Sequence, residues 1–273
     1  MTPGSTAPAG KSFDPRSPFA RAIETDRIYF ELGATIEALP GATFAWMPGL
    51  VGAPAGTVVH RVDAAVIETL GQAWLGDVEA RLGQVEANLA RIYLESRNGR
   101  ADELLRGTGY TDRDELVFHH MLPDPPPGLT LRSVTSEEDW ARKLLLHEAA
   151  ATSPDGHRHR ASDWVALERR KGEHGMESFL AEIDGETVGA IGAVWGDGLL
   201  RMKNIVVHPA HRRRSVGKMM LLNIAALGRA RGVFEQCILA VRGEPGELLY
   251  RSAGMSVVGV QVEWSKPLKG SPS

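Results

Sequence analysis

The segment from Ile205 to Lys218, IVVHPAHRRRSVGK, places the tightest constraint on how this chain can fold. A β-branched stretch ends at Pro209, which has no N–H group and cannot continue a central strand. A short basic loop follows, and then the apolar run Met219–Leu227, which is typical of a helix. This order predicts free backbone N–H groups at a helix N-terminus, where a phosphate or pyrophosphate group can bind. The sequence contains neither of the commoner phosphate loops, GxxxxGK[ST] and GxGxxG.

The spacing V-x-P-x-x-R-x-x-G-x-G is matched by Val207, Pro209, Arg212, Ser215 and Gly217. The segment therefore resembles the acyl-CoA loop of the GNAT acetyltransferase superfamily. Ser215 replaces the first glycine, and a serine is tolerated there unless the position requires a positive φ. The alternative interpretation is a solvated arginine cluster that follows an ordinary strand.

The resemblance implies an acetyl-CoA site. No metal site is expected, because the pair His157 and His159 lies in a loop without nearby Cys or carboxylate pairs. In this family the strand before the loop splays from its neighbour, so that Ile205, Val206 and Val207 would pair with the pantetheine arm through backbone groups. The loop would hold the pyrophosphate. The loop residues assigned to the cofactor are Arg212, Arg213, Arg214, Ser215, Val216, Gly217 and Lys218.

Composition narrows the possible partners and compartment. A formal charge of −3 in 273 residues gives no general attraction to nucleic acid or to an anionic membrane. Cys237 is the only cysteine, so no intrachain disulfide can form, and a reducing, cytoplasmic location is expected. No apolar stretch reaches the length of a membrane span. Residues 1–18 are rich in Pro, Gly, Ser and Ala, which indicates a disordered leader.

A proline-rich segment divides the chain. Residues 122–128, LPDPPPG, cannot belong to a helix interior or a central strand. The following patterns predict the order β-α-α-β-β-β-α-β-α-β over residues 129–266, which is the GNAT order. We therefore expect a mixed-sheet α/β fold with a linker at 122–128, a GNAT acyltransferase domain at 129–266 and a tail at 267–273.

The N-terminal half repeats part of this pattern. Arg91–Gly109 aligns without gaps to Gln236–Gly254, and Leu105 stands where the second copy has Tyr250. A long helix over about 65–90 is expected before the first copy, but no acyl-CoA loop precedes it. Residues 19–121 are therefore interpreted as a degenerate GNAT-like domain, as in tandem GNAT proteins such as mycothiol synthase. An unrelated α/β domain is the alternative.

The resemblance also identifies Tyr250 as the candidate catalytic acid, because many family members protonate the leaving CoA thiolate with a tyrosine at this position. A packing tyrosine is the alternative. Many relatives carry an acidic base on the strand before the loop, where this chain has Arg201, Lys203 and Asn204. Asn204 cannot accept a proton, but it could position a water that relays one. Weaker candidates for the base are His157, His159, His174 and Glu177.

The function expected is transfer of acetyl from acetyl-CoA to a primary amine of a small molecule, by direct attack in a ternary complex. Two alternatives remain: a protein or peptide N-acetyltransferase, and a non-catalytic acyl-CoA-binding regulatory module. The acceptor should contact Trp164, Gln261 and Glu263, and a face of the N-terminal half could close the site. The protein is expected to be a monomer or a homodimer.

Overall fold

The computed structural model describes residues 15–53, 55–151, 160–196 and 198–268. In these ranges the chain forms a mixed α/β fold. The helices are α1 (Pro18–Glu31), α2 (Ala64–Leu70), α3 (Gln72–Gln84), α4 (Gly99–Gly107), α5 (Glu137–Ala151), α6 (Ala161–Gly172), α7 (Val216–Ala230) and α8 (Pro245–Ser252). The strands are β1 (Thr35–Leu39), β2 (Ala42–Trp46), β3 (Thr57–His60), β4 (Leu89–Leu94), β5 (Thr111–His120), β6 (Thr130–Ser133), β7 (Glu177–Ile183), β8 (Glu186–Trp195), β9 (Leu199–Val207), β10 (Glu235–Val241) and β11 (Ser256–Pro267).

The strands form one sheet that runs through both halves of the chain, in the order β1-β2-β3-β4-β11-β5-β10-β9-β8-β7-β6. Each half contributes its last strand to the part of the sheet that the other half forms. Strand β5 pairs antiparallel with β10, and β11 pairs antiparallel with β4, while β5 and β11 pair with each other at the centre. The two halves therefore cannot be separated at the 122–128 segment without breaking the sheet. The division into domains at 19–121 and 129–266 stays a prediction, because it follows the order of residues along the chain while the two halves share one sheet.

Helices cover both faces of this sheet, and the alternation of strand side chains shows which helix covers which face. On one face α7 and α8 pack against Leu200 and Ile238, and α3 and α4 pack near the other end. On the opposite face α1 packs against Leu199 and Cys237, and α5 packs against β7 and β8. We call these the α7 face and the α1 face.

Three sequence expectations need correction. Helix α1 begins at Pro18 with Ser17 as its N-cap, so the expected leader at 1–18 extends too far; residues 1–14 lie outside the described ranges. The expected helix over 65–90 is two helices, because Gly71 adopts φ +59° and ψ −134°, and the second helix ends at Gln84. The expected boundary at 266 falls inside β11, which extends to Pro267.

Candidate functional site

The site begins where two parallel strands separate. Strands β9 and β10 pair only at Glu235–Leu199, Gln236–Leu200 and Cys237–Arg201. Beyond these pairs the two strands diverge, as the resemblance to the GNAT superfamily implied. The stretch Lys203–Val207 keeps its partner β8 on one side and has no strand partner on the β10 side among the described residues. Its free backbone groups are of the kind that can pair with an extended ligand.

A bulge lies in the same stretch. Gly192 pairs with Lys203 and Ala190 pairs with Val206, so that two residues of β9 oppose one residue of β8. Asn204 lies in this bulge with φ +51°. Bulges re-aim side chains and backbone groups next to active sites. The Asn204 amide donates a long hydrogen bond, 3.4 Å, to the hydroxyl of Tyr29.

The basic loop leads from β9 into α7. Arg213 and Ser215 both adopt left-handed backbone conformations, with φ +63° and +60°. The position of Ser215 therefore does require a positive φ, a conformation that costs an L-residue roughly 1–2 kcal/mol and that glycine adopts freely. In the described part of the chain, the N-cap residue Ser215 gives α7 no side-chain hydrogen bond. Its first amides are therefore available to an anion, and the three arginines that precede them in the chain have exposed side chains.

Gly217 has a packing role inside this loop–helix junction. A Cβ at Gly217 would approach the side chain of Leu249 on α8 to 3.0–3.2 Å. The glycine thus allows α7 and α8 to meet closely, and a larger residue there would test helix packing as much as phosphate binding. A substitution of Arg214 tests phosphate binding with less effect on helix packing, since Arg214 is exposed and lines a cleft of about 380 Å³ beside the loop.

Tyr250 projects from α8 on the α7 face. Its ring packs edge-on against Phe118, with 5.5 Å between the centroids. Its hydroxyl lies by the first turn of α8, since a Cβ at Gly246 would be 3.5 Å from that oxygen and 3.6 Å from the Cβ of Ala240. Ala240 belongs to the part of β10 beyond its last pair with β9. Burial raises the pKa of Tyr250 above its usual value, so the phenol stays protonated at neutral pH.

The α1 face of the same region carries a buried charged network that the sequence analysis missed. Asp26 of α1 accepts hydrogen bonds from Arg201 at 2.7 Å and from Lys203 at 3.1 Å. Burial alone would raise the pKa of Asp26, but the two cations outweigh it and hold the pKa below its usual range. The Lys203 ammonium also lies 3.9 Å from the centre of the Tyr29 ring. Helix α1 thereby fixes the β9 side chains next to the bulge.

The network continues onto the two exchanged strands. Gln261 of β11 donates to Asp26 at 3.2 Å and to Glu115 of β5 at 3.3 Å. Glu263 of β11 accepts from Tyr93 at 2.6 Å and from Arg113 at 2.7 Å. Gln261 and Glu263, expected to contact an acceptor, are therefore both buried in the contact between the halves. Nothing in the sequence pattern marked Asp26 or Glu115, because their partners are distant in the chain.

The other predicted residues lie elsewhere. Trp164 packs beside Met47 and Leu167. Glu177 is held by Arg231 and by the indole of Trp195, and is occupied as an ion-pair partner. His174 lies against Gly33, close to the end of α1. The candidates His157 and His159 lie outside the described residues.

Over the described ranges, no cluster of three or more His, Cys, Asp or Glu side chains could hold a metal ion. None of the helices in the same ranges has the length and apolar character needed to cross a membrane.

Comparison with known proteins adds two findings. Residues 141–254 match the model of the acetyltransferase (GNAT) family. No curated protein sequence matches the chain.

Solved structures resemble nearly the whole chain. A GCN5-related N-acetyltransferase from Kribbella flavida is similar with a TM-score of 0.62 and 16% identity, over 90% of this chain and 95% of that one. A GCN5-related N-acetyltransferase from Sphaerobacter thermophilus has a TM-score of 0.57 and 22% identity, over 85% and 78%. A tandem GNAT protein from the clavulanic acid biosynthesis pathway has a TM-score of 0.53 and 14% identity, over 85% and 79%. The fold of both halves together is thus that of tandem GNAT proteins.

Proposed function

We propose that this chain, whose C-terminal half is a domain of the acetyltransferase (GNAT) family, transfers an acetyl group from acetyl-CoA to a primary amine of a small molecule. The observation that supports this most is the gap between β9 and β10, which opens next to the uncapped N-terminus of α7. Acetyl-CoA needs both features, an open strand edge for its pantetheine amides and an anion site for its pyrophosphate.

The chain's own residues fit this donor. Backbone groups of Ile205, Val206 and Val207 would pair with the pantetheine arm, and the loop from Arg212 to Lys218 would hold the phosphates. Tyr250 lies on the α7 face of the gap, where its protonated hydroxyl can donate to the sulfur that leaves as the thioester breaks. Asn204, in the bulge of β9, would orient the reacting groups or a water from the β9 side of the gap.

The acceptor would reach the gap from the α1 face. Helix α1 covers much of this face and contacts β9, and α6 packs against Met47 of the N-terminal half. A face covered in this way suits a small amine better than an extended peptide, which needs an open groove. This argument favours a small-molecule acceptor over a protein amine.

The test is release of CoA from acetyl-CoA with a panel of amino acids, polyamines, aminoglycosides and peptide amines, with products identified by mass spectrometry. We expect a small amine to be acetylated and the peptides to be poor substrates. Efficient acetylation of peptides alone would favour a protein N-acetyltransferase. Tight binding of acetyl-CoA without turnover of any amine would favour a regulatory module.

A further inference from the structure

Glu115 lies level with the reacting end of the gap, although it belongs to the N-terminal half. It pairs in register with Val241, four residues beyond Cys237 on β10. Ile205 lies four residues beyond Arg201, the partner of Cys237 on β9. At about 3.3 Å per residue, and with the one extra residue in the β9 bulge, Val241 is therefore level with the Ile205–Val206 part of β9 across the gap. Glu115 is on β5, one strand behind the β10 wall of the gap.

The side chain of Glu115 points to the α1 face. Val117, two residues away on the same strand, packs against α1, and residues two apart share a face of a strand. The contact between Glu115 and Gln261, which also binds Asp26, agrees with this direction. Tyr250 lies on the opposite face. The gap between β9 and β10 thus separates a phenol on the cofactor side from a carboxyl group on the acceptor side.

Three buried carboxylates share this region, and their charges are balanced to different degrees. Asp26 contacts both Arg201 and Lys203, and Glu263 contacts Arg113 at 2.7 Å. Among the described residues, Glu115 contacts the neutral amide of Gln261 and lies 4.0 Å from the guanidinium of Arg113. Its side chain is also 15% exposed, against 2% and 4% for the other two. Glu115 is therefore the carboxylate of this group with both the least compensation and the most access.

The charged groups around Glu115 act on its pKa in opposite directions. Burial and the negative charges of Glu263 and Asp26 raise the pKa, while Arg113 and Lys203 lower it. The balance raises the pKa of Glu115 to about 7. A group with a pKa near the working pH is suited to accept a proton during a reaction.

We propose that Glu115 is the general base that takes the proton from the acceptor amine. This assignment rests on the proposed function. In the step, Glu115 removes one proton from the ammonium form of the acceptor, and the freed nitrogen bonds to the thioester carbon. The carbon–sulfur bond then breaks with its electron pair on sulfur, which takes the proton of Tyr250. The tyrosinate recovers a proton from the nitrogen of the adduct, and Glu115 releases its proton to solvent.

With Glu115 as the base, the site does not need the acidic residue that many relatives carry on the strand before the loop. The exchanged strand β5 brings a carboxylate to the same region from the N-terminal half. This carboxylate lies outside residues 129–266, so it is not part of any motif of the C-terminal domain. The N-terminal half is then more than a structural support, because it completes the site.

The experiment compares wild type with Glu115→Gln, using Glu103→Gln on the exposed surface of α4 as control. Two acceptors are needed: the best alkylamine from the panel, and an alkoxyamine of similar size whose nitrogen is already unprotonated at neutral pH. With the alkylamine, Glu115→Gln should lower kcat/KM by roughly 10²–10⁴. With the alkoxyamine the loss should be no more than about tenfold, since that nitrogen needs no base for its first proton.

The pH profile and the cofactor affinity complete the test. Wild-type kcat/KM should fall as pH drops through about 7, because Glu115 becomes protonated, and this limb should be absent in Glu115→Gln. Calorimetry should show unchanged acetyl-CoA affinity, and thermal unfolding should show a folded variant. Equal losses with both amines, or an unchanged pH limb in an active variant, would overturn the role of Glu115 as base but not the proposed function. A wild-type protein that acetylates no amine would overturn the proposed function as well.

Discussion

The two halves contain the same strand–helix–strand unit, but they differ at the place where a cofactor would bind. In the C-terminal half the helix after the gap, α7, has no side-chain cap at its N-terminus. In the N-terminal half the corresponding helix, α2, is capped by Asp63, whose carboxylate accepts from the amide of Ala65 at 3.0 Å. A helix N-terminus that already holds a carboxylate has no preference for a second anion.

The gaps themselves differ too. Strands β3 and β4 pair only at Val59–Ile92, so the N-terminal half also has a parallel pair that separates early. There, Phe30 of α1 packs on Tyr93 and on His60, with centroids 4.7 and 5.6 Å apart. Rings of α1 lie at both gaps, since Tyr29 contacts Lys203 and Asn204 at the C-terminal one. The basic loop beside the C-terminal gap is the clearer difference. On the proposed function, the Asp63 cap leaves the N-terminal half without the free anion site that α7 offers.

The largest effect we expect follows from the exchanged strands. Residues 129–273 expressed alone lack β5 and β4, which supply both neighbours of β11 and one neighbour of β10. The exposed strand edges and the uncovered α1 face should make this fragment insoluble or aggregated, as judged by gel filtration.

The matched control is the full chain cut within the 122–128 segment, because both pieces together still contain every strand of the sheet. A protease site placed in the 122–128 segment of the full chain, and cut after folding, should leave the two pieces associated. A soluble, monomeric and fully active 129–273 fragment would contradict an obligatory role for the N-terminal half.

The next largest effect concerns the position that differs between the repeated helices, Tyr250 in α8 and Leu105 in α4. Tyr250→Phe should lower kcat by roughly 10²–10⁴ with little change in acetyl-CoA affinity, because the hydroxyl acts in the transition state. Leu105 is fully buried, so Leu105→Ala should cost about 2–5 kcal/mol of unfolding free energy without a specific effect on the chemical step. Wild-type turnover in Tyr250→Phe, measured where chemistry limits the rate, would reduce Tyr250 to a packing residue.

The sequence predicted the local parts of this molecule well. The strand–loop–helix at 199–230 is confirmed, because it depends on residues close together in the chain. The early separation of β9 from β10, which only the family resemblance implied, is observed as well. The exchange of β5 and β11 could not be predicted, since either pairing satisfies the same apolar alternation. The roles of Asp26 and Glu115 stayed hidden for the same reason: each acquires its partners only through that exchange and the placement of α1.

An intermediate effect concerns α1 and its ion pairs. Asp26→Asn would leave Arg201, which is 1% exposed, without its carboxylate. The expected loss is about 3–5 kcal/mol of unfolding free energy at pH 7, measured by urea denaturation. Since the folded state lowers the pKa of Asp26, this stabilisation is present above the unfolded pKa and is lost as pH falls through the folded one. Wild type and variant should therefore converge in acid.

The exposed pair Glu138–Arg142 on α5 provides the comparison for that measurement. Glu138→Gln should cost at most about 0.5 kcal/mol. Equal effects of Asp26→Asn and Glu138→Gln would show that α1 is not held by its buried charge.

The smallest effect concerns the loop backbone. Ser215→Gly removes the cost of a left-handed serine, so it should raise the unfolding free energy by up to about 1 kcal/mol and leave acetyl-CoA affinity unchanged or slightly improved. Ser215→Val should lower both, because a β-branched residue is strongly disfavoured at positive φ. A loss of stability in Ser215→Gly would mean that the serine hydroxyl stabilises the loop.

We propose that the chain has one cofactor site, which the C-terminal half builds and the N-terminal half lacks. Calorimetric titration of the full chain with acetyl-CoA tests it most directly. We predict one site per chain, and a strong loss of affinity in Arg214→Glu, which places a negative charge beside the phosphates. Two equivalent sites per chain, or unchanged binding in Arg214→Glu, would contradict the account.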